Sequence, residues 1–216
     1  VKGVRSAGVA LRAVLIMLTQ LATVKARLEI AAGDTSHDDF LNRAIDAVSA
    51  RFDRECNRTF ARTVGVTQEF SATDTEIVAR CFPIEAVTKF ELKTSEGPGW
   101  VEQTGVDYLL RQGCVVSLRW PLSYIPQVAF LNPGLGRVTY TGGYVMPGTT
   151  PGTGQVALPA DVESAAVEQV GAWFQQRDKL GLIRYWPSGG TFLVFNPLPL
   201  LPQVTASLRP YVRWEV

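Results

Sequence analysis

The chain has 216 residues, 46% of them hydrophobic and 19% charged, with a formal net charge of +1. That is ordinary globular composition with enough apolar residues for a core, and it gives no whole-chain charge with which to hold nucleic acid or an acidic substrate. Three cysteines, Cys56, Cys81 and Cys114, lie far apart with no CxxC pair, which reads as free, mostly buried thiols in a reduced compartment.

Lys2, Arg5, Arg12, Lys25 and Arg27 all precede the first acidic residue, Glu29. The run Ala13 to Leu18 is too short to span a bilayer, and Arg12 interrupts any signal-peptide pattern. Residues 1–18 therefore read as an N-terminal extension: either a basic arm or, for 1–16, an upstream stretch ahead of a start at Met17. A first helix is expected from about Thr19 to Leu28, with Leu21, Val24 and Leu28 on one face. After a turn at Gly33, Ser36 and Asp39 have the spacing of a capping-box variant. Leu41, Ile45, Val48, Phe52 and Cys56 then follow at helical spacing, opposite a polar face of Asn42, Arg43, Asp46, Ser49, Asp53 and Arg54. That second helix is expected to end near Asn57.

From Thr63 the texture changes to short β-rich runs between turns. Strands are expected at 64–70, 76–79, 87–93, 108–111, 115–119 and 137–140, forming an antiparallel sheet. Residues 144–157, rich in Gly, Pro and Thr, read as a loop. The clearest helix follows: Pro159 and Asp161 suit its start, Val162, Ala166, Val170 and Trp173 with Phe174 form its apolar stripe, and Arg177 and Lys179 suit its negative end. Beyond Gly181, Thr191 to Phe195 has strand character, the prolines of 196–202 exclude a regular helix, and a short helix is expected at about Pro202 to Leu208. The fold class expected is α+β. A small bundle of three to four helices (19–62 and 156–181) carries an inserted antiparallel β-rich segment (63–145) and an extended C-terminal arm (182–216).

Motifs for chemistry are scarce. His37 is the single histidine, and no nucleophile elbow, zinc-protease, Walker A or dinucleotide-binding pattern occurs. Asp38 and Asp39 diverge around a helix, while Asp161 and Glu163 suit a helix N-terminus. Arg119, Trp120, Tyr124, Arg137 and Tyr140 interleave basic and aromatic residues as single-strand binders do. On a small sheet those aromatics are expected in the core or an interface. No catalytic residue, cofactor or metal ligand is assigned, and no enzymatic activity is expected.

The order of elements resembles the head–tail connector (adaptor) proteins of tailed bacteriophages, in particular longer members with a β-rich insertion. The resemblance rests on Leu21 to Leu28, the acid-started helix ending Cys56-Asn57-Arg58, and Val138-Thr139-Tyr140-Thr141-Gly142-Gly143-Tyr144. It continues through Leu158-Pro159-Ala160-Asp161, Ala172-Trp173-Phe174 to Arg177, and Leu208-Arg209-Pro210-Tyr211. It implies a non-catalytic structural protein of the virion neck, assembled in the bacterial cytoplasm. Such proteins form a ring, usually twelve-fold, under the portal protein. The ring extends the channel for genomic DNA without sequence-specific contacts and docks the next stopper or tail protein; no membrane is involved. A tail-completion protein of the same virion is the neighbouring reading, and a nucleic-acid-binding module using the β segment is a more distant one.

Within the ring reading, two sets of residues have expected roles. The apolar arm, with Trp186, Phe192, Phe195, Leu198, Leu200, Leu201, Tyr211 and Trp214, is expected to form the assembly interface, since aromatic anchors dominate such contacts. Asp46 and Asp53 of the second helix and Glu163 and Glu168 of the central one are expected to face the channel, where acidic walls let DNA slide.

Overall fold

The computed structural model describes residues 17–124, 134–177 and 199–214. Among them are four α-helices: α1 (Leu21–Arg27), α2 (Asp38–Glu55), α3 (Ala160–Gln175) and α4 (Pro202–Leu208). Nine strands fall between α2 and α3: β1 (Thr63–Ser71), β2 (Glu76–Val78), β3 (Ile84–Lys93), β4 (Val101–Gln103), β5 (Tyr108–Arg111), β6 (Val115–Leu118), β7 (Leu135–Gly142), β8 (Tyr144–Val145) and β9 (Val156–Ala157). The chain is α+β, with a helical body and a β-rich segment between its second and third helices.

The helical body is built on the predicted stripe of α2. Leu41, Ile45, Val48, Phe52 and Cys56 are all buried and meet Val162, Ala166, Val170 and Phe174 of α3. At Gly171 of α3 the neighbour is Leu28, which follows α1; a Cβ there would make an ordinary contact with its side chain, at 3.7 Å. Val204 and Leu208 of α4 complete the same core. Ser49, expected on the polar face, is buried because its hydroxyl donates to the Ile45 carbonyl (2.8 Å) and accepts the Leu18 N–H (3.1 Å).

The starts of α1 and α2 differ from expectation. Helix α1 begins at Leu21, after Gln20. The Ser36 capping box does not form, since Ser36 N–H donates to the Asp34 carboxylate (2.9 Å) and α2 begins at Asp38. Lys25, buried, ties the two helices together through Asp38 (2.5 Å) and the Asp34 carbonyl (2.7 Å). At the far end Asn57 takes a left-handed φ of 48° and turns the chain out of α2. Helix α3 ends at Gln175, where Arg177 donates to the Phe174 carbonyl (3.0 Å), the expected use of a cation at a helix C-terminus.

The β-rich segment forms a four-stranded antiparallel sheet, order β1-β7-β3-β4, and a three-stranded antiparallel sheet, order β2-β6-β5. They share a second apolar core of Ile77, Phe90, Leu92, Val116, Leu118, Leu122, Val138 and Tyr140. Gly136, paired with Phe70, leaves room for the Phe70 ring to lie across it. The Tyr140 hydroxyl is the polar centre of this core. It accepts the N–H groups of Arg80 (3.0 Å) and Cys81 (3.1 Å) and donates to the Gln68 side chain (3.2 Å), whose amide donates to the Val78 carbonyl. The expected loop 144–157 contains a short parallel pair, β8 with β9, from which Leu158 N–H donates to the Val145 carbonyl at the entry to α3.

Candidate functional site

The body and the β lobe meet around Arg58, the first cation after α2. Its guanidinium is only 3% exposed in sum with the rest of the residue, lies 3.3 Å from the centre of the Phe82 ring, and faces Phe60 (4.6 Å) and Tyr144 (5.2 Å). It donates to the Phe82 carbonyl. Burial pulls this guanidinium below the usual arginine range, and the Tyr144 phenol counters that shift. Cation–π contacts of this kind gain strength when desolvated, to about 2 kcal/mol or more. Only Phe60 is local to Arg58 in the sequence; the other two walls come from positions 24 and 86 residues further on.

The C-terminal segment closes the same seam. Arg213 N–H donates to the Cys56 carbonyl (2.8 Å), and its guanidinium donates to the Val78 carbonyl in the lobe (3.0 and 3.2 Å). The Tyr211 hydroxyl donates to the Asp161 carboxylate (2.8 Å), and its ring lies 6.1 Å from Phe60. Burial, then the bond to Asp161, pushes the Tyr211 phenol up to about 12.

Of the eight arm residues expected at an assembly interface, Trp186, Phe192, Phe195 and Leu198 lie outside the described residues. The others have distinct places. Leu200 is buried in the body, Leu201 packs beside it with its N–H held by Gln169 (2.8 Å), and Tyr211 is half-buried at the seam. These three pack against their own chain because α4 lies along α3. Trp214 differs: it is 74% exposed.

The four acids expected on a channel wall sit in several surroundings. Asp46 and Asp53, seven residues apart, share one stripe of α2, whereas Glu163 and Glu168 are about 140° apart around α3. Burial raises the Asp46 carboxyl. Asp53 accepts the Phe60 N–H (3.0 Å), and burial pushes its carboxyl up to about 6, against that bond and Arg58. Glu168 is exposed on the rim of a groove of about 350 Å³ between α1, α3 and α4, whose walls include Leu28, Gly171 and Leu201.

A second depression, also about 350 Å³, opens at the C-terminal end of α2 between Asp53, Arg54, Asn57, Arg58, Thr59 and Arg80. The thiols, Glu91 and His37 line neither depression. Cys56 and Cys81 are buried free thiols, Cys56 pushed by burial to about 11, so both stay protonated. Glu91 is held below the usual carboxylate range by Lys89, against the opposing pull of burial, with further help from Arg137. His37 packs edge-on to Phe174 at 5.1 Å. Among the described residues no group of three or more His, Cys, Asp or Glu is placed to hold a metal, and no helix is long and apolar enough to cross a membrane.

A helical body that carries a two-sheet lobe and is closed by its own C-terminal helix defines the class of fold. No family model matches the chain, and no curated protein matches it in sequence. Solved structures do match its fold. One is a chain in the neck of an empty gene transfer agent particle computed with six-fold symmetry (13% identity, TM-score 0.52). Another comes from the virion of a native gene transfer agent particle (16% identity, TM-score 0.53). Each alignment covers 90% of this chain and 89% of the other. At these identities the likeness is one of fold, and it runs through body and lobe together.

Proposed function

We propose that the protein is a head–tail connector (adaptor) of a tailed bacteriophage or related particle, forming a ring under the portal, extending the DNA channel and docking the next neck or tail protein. The observation that carries this reading is the shared fold over nine-tenths of both chains with a protein of a symmetric particle neck. The order of elements and their motifs, read from the sequence, point the same way independently.

The structure supports the physical demands of such a role. Repeated head-to-tail contacts close into a ring when the rotation per subunit closes, and that requires subunits with fixed shape. Here the body and lobe are locked by the Arg58 cage and by Arg213. The apolar residues Trp186, Phe192, Phe195 and Leu198, with the exposed Trp214, supply partner contacts, while Leu200, Leu201 and Tyr211 secure α4 on the body. Acidic residues, Asp46 of α2 with one of Glu163 and Glu168 of α3, keep the channel wall from gripping phosphate. The ring forms on the portal in the bacterial cytoplasm and ends in the virion neck.

Mixing the purified protein with its portal and following mass and shape, by mass photometry and electron microscopy, tests this reading. A closed ring on the portal, twelve-fold by the resemblance, is expected from a protein that is a monomer or weak oligomer alone. A stable dimer indifferent to the portal overturns it.

A further inference from the structure

The subunit is electrically bipolar along α2. Near the start of that helix, Asp34 and Asp39 are exposed, with one exposed cation, Arg43, a turn further along, while the buried cation there, Lys25, is engaged by Asp38. Hydrogen bonding to Ser36 holds the Asp34 carboxyl below its ordinary value, so it is ionised. At the opposite end, exposed Arg54 and Arg80 frame the depression walled also by Asp53, Asn57, Arg58 and Thr59. Three arginines against one aspartate leave the depression positive, and the nearby Arg51 and Glu55 pair with each other. Arg58 contributes more than charge: its Nε and Nη1 are buried and have no hydrogen-bond partner.

The two poles cannot meet within one chain. Asp39 and Arg54 are fifteen residues apart on one helix, about 22 Å at 1.5 Å per residue. We infer that the depression around Arg54, Arg58 and Arg80 receives the Asp34–Asp39 edge of a second copy of this chain, in a head-to-tail contact that repeats around the ring. This rests on the ring reading above. A second copy is favoured as the occupant because the complementary charge is carried by the same chain at the other pole. Opposite poles attract in the head-to-tail orientation and repel when like ends meet, which selects the one arrangement that closes. Duplex DNA fits less well, because Asp53 stands in the depression beside the arginines and the negative end of the helix dipole lies there too.

Cysteine cross-linking of the full chain on its portal tests the contact. A disulfide needs Cα atoms within about 7 Å, so a bond between Asp39→Cys and Arg54→Cys in one polypeptide is excluded and any bond formed joins two copies. In a Cys114→Ser background, which removes the half-exposed native thiol, oxidation of the assembled ring is expected to give a ladder of covalent multimers. Each single-cysteine variant should give none. As a second arm, Asp34→Lys with Asp39→Lys, or Arg54→Glu with Arg80→Glu, should each lower ring yield roughly tenfold in subunits that stay folded, the melting temperature falling only by what a charge reversal at a helix end costs, and mixing the two variants should restore assembly in rings that alternate them. A complete ring with no ladder and no charge dependence overturns the contact while leaving the connector reading standing. No ring from the wild-type chain and portal overturns both.

Discussion

The helical body and the β lobe hold together by different means. The body's core is a set of apolar side chains from four helices, with Phe52, Leu41, Val162 and Val204 fully buried and a few buried polar joints, such as Gln169 to the Leu201 N–H, between them. The lobe also has an apolar core, but its centre is a hydroxyl: Tyr140 joins β7 to the segment after β2 through two backbone N–H groups. Burial is non-directional and tolerates small shifts, whereas hydrogen bonds fix geometry and fail abruptly when a partner is lost. The shape of the body is therefore set mainly by side-chain packing, and that of the lobe also by a hydrogen-bonded hydroxyl at its centre.

Several variants would sharpen or break that contrast. The largest effect is expected for Phe52→Ala, which empties the centre of the body and should cost about 3–5 kcal/mol by chemical denaturation. A cost below about 1 kcal/mol would show that the helices are not held by this core. Leu208→Ala should follow, at about 2–5 kcal/mol; an unchanged stability would mean that α4 is only an appendage. In the lobe, Tyr140→Phe removes one oxygen atom yet strands the Cys81 N–H, and a loss of about 1–3 kcal/mol is expected. Indifference to that change would put the lobe on the same footing as the body.

The smallest effect is one of pH. Burial raises the Asp53 carboxyl to about 6 in the folded protein, so its charged form is disfavoured there relative to the unfolded chain. Its contribution is favourable at low pH and is lost as pH rises from the unfolded value near 4 through 6. Asp53→Asn keeps an acceptor for Phe60 N–H and has no charge to bury. Its melting temperature relative to wild type should therefore climb between pH 4 and pH 7 and level off above. A flat difference across that range would show that Asp53 is solvated like an ordinary surface acid.

Much of this architecture was legible wherever a segment's own periodicity decided its fate. The α2 stripe from Leu41 to Cys56 is buried as its spacing requires, and β5 and α4 fall on the residues expected. Legibility stopped where distant residues decide. Strand β4 has three residues and is recognised only by its pairing with β3. The parallel pair β8–β9 sits in a stretch whose composition says loop. Ser36 looks like a cap, but Asp34 takes its N–H first. The Arg58 cage is the clearest case, since an arginine after a helix reads as a solvated cation until Phe82 and Tyr144 are brought over it.

The neck of the lobe has a consequence for chain entropy. The strand leaving the body and the strand returning to it are fastened at their base: Tyr144 N–H donates to the Phe60 carbonyl (2.7 Å) and Arg62 N–H to the Tyr144 carbonyl (2.8 Å). An excursion of about 80 residues thus begins and ends at one point, and closing a loop costs free energy only as the logarithm of its length. The excursion can lengthen or shorten away from Val78 and Phe82, which hold the seam, while α2 and α3 keep the same separation, so the molecule is built like a socket whose head varies above a fixed base.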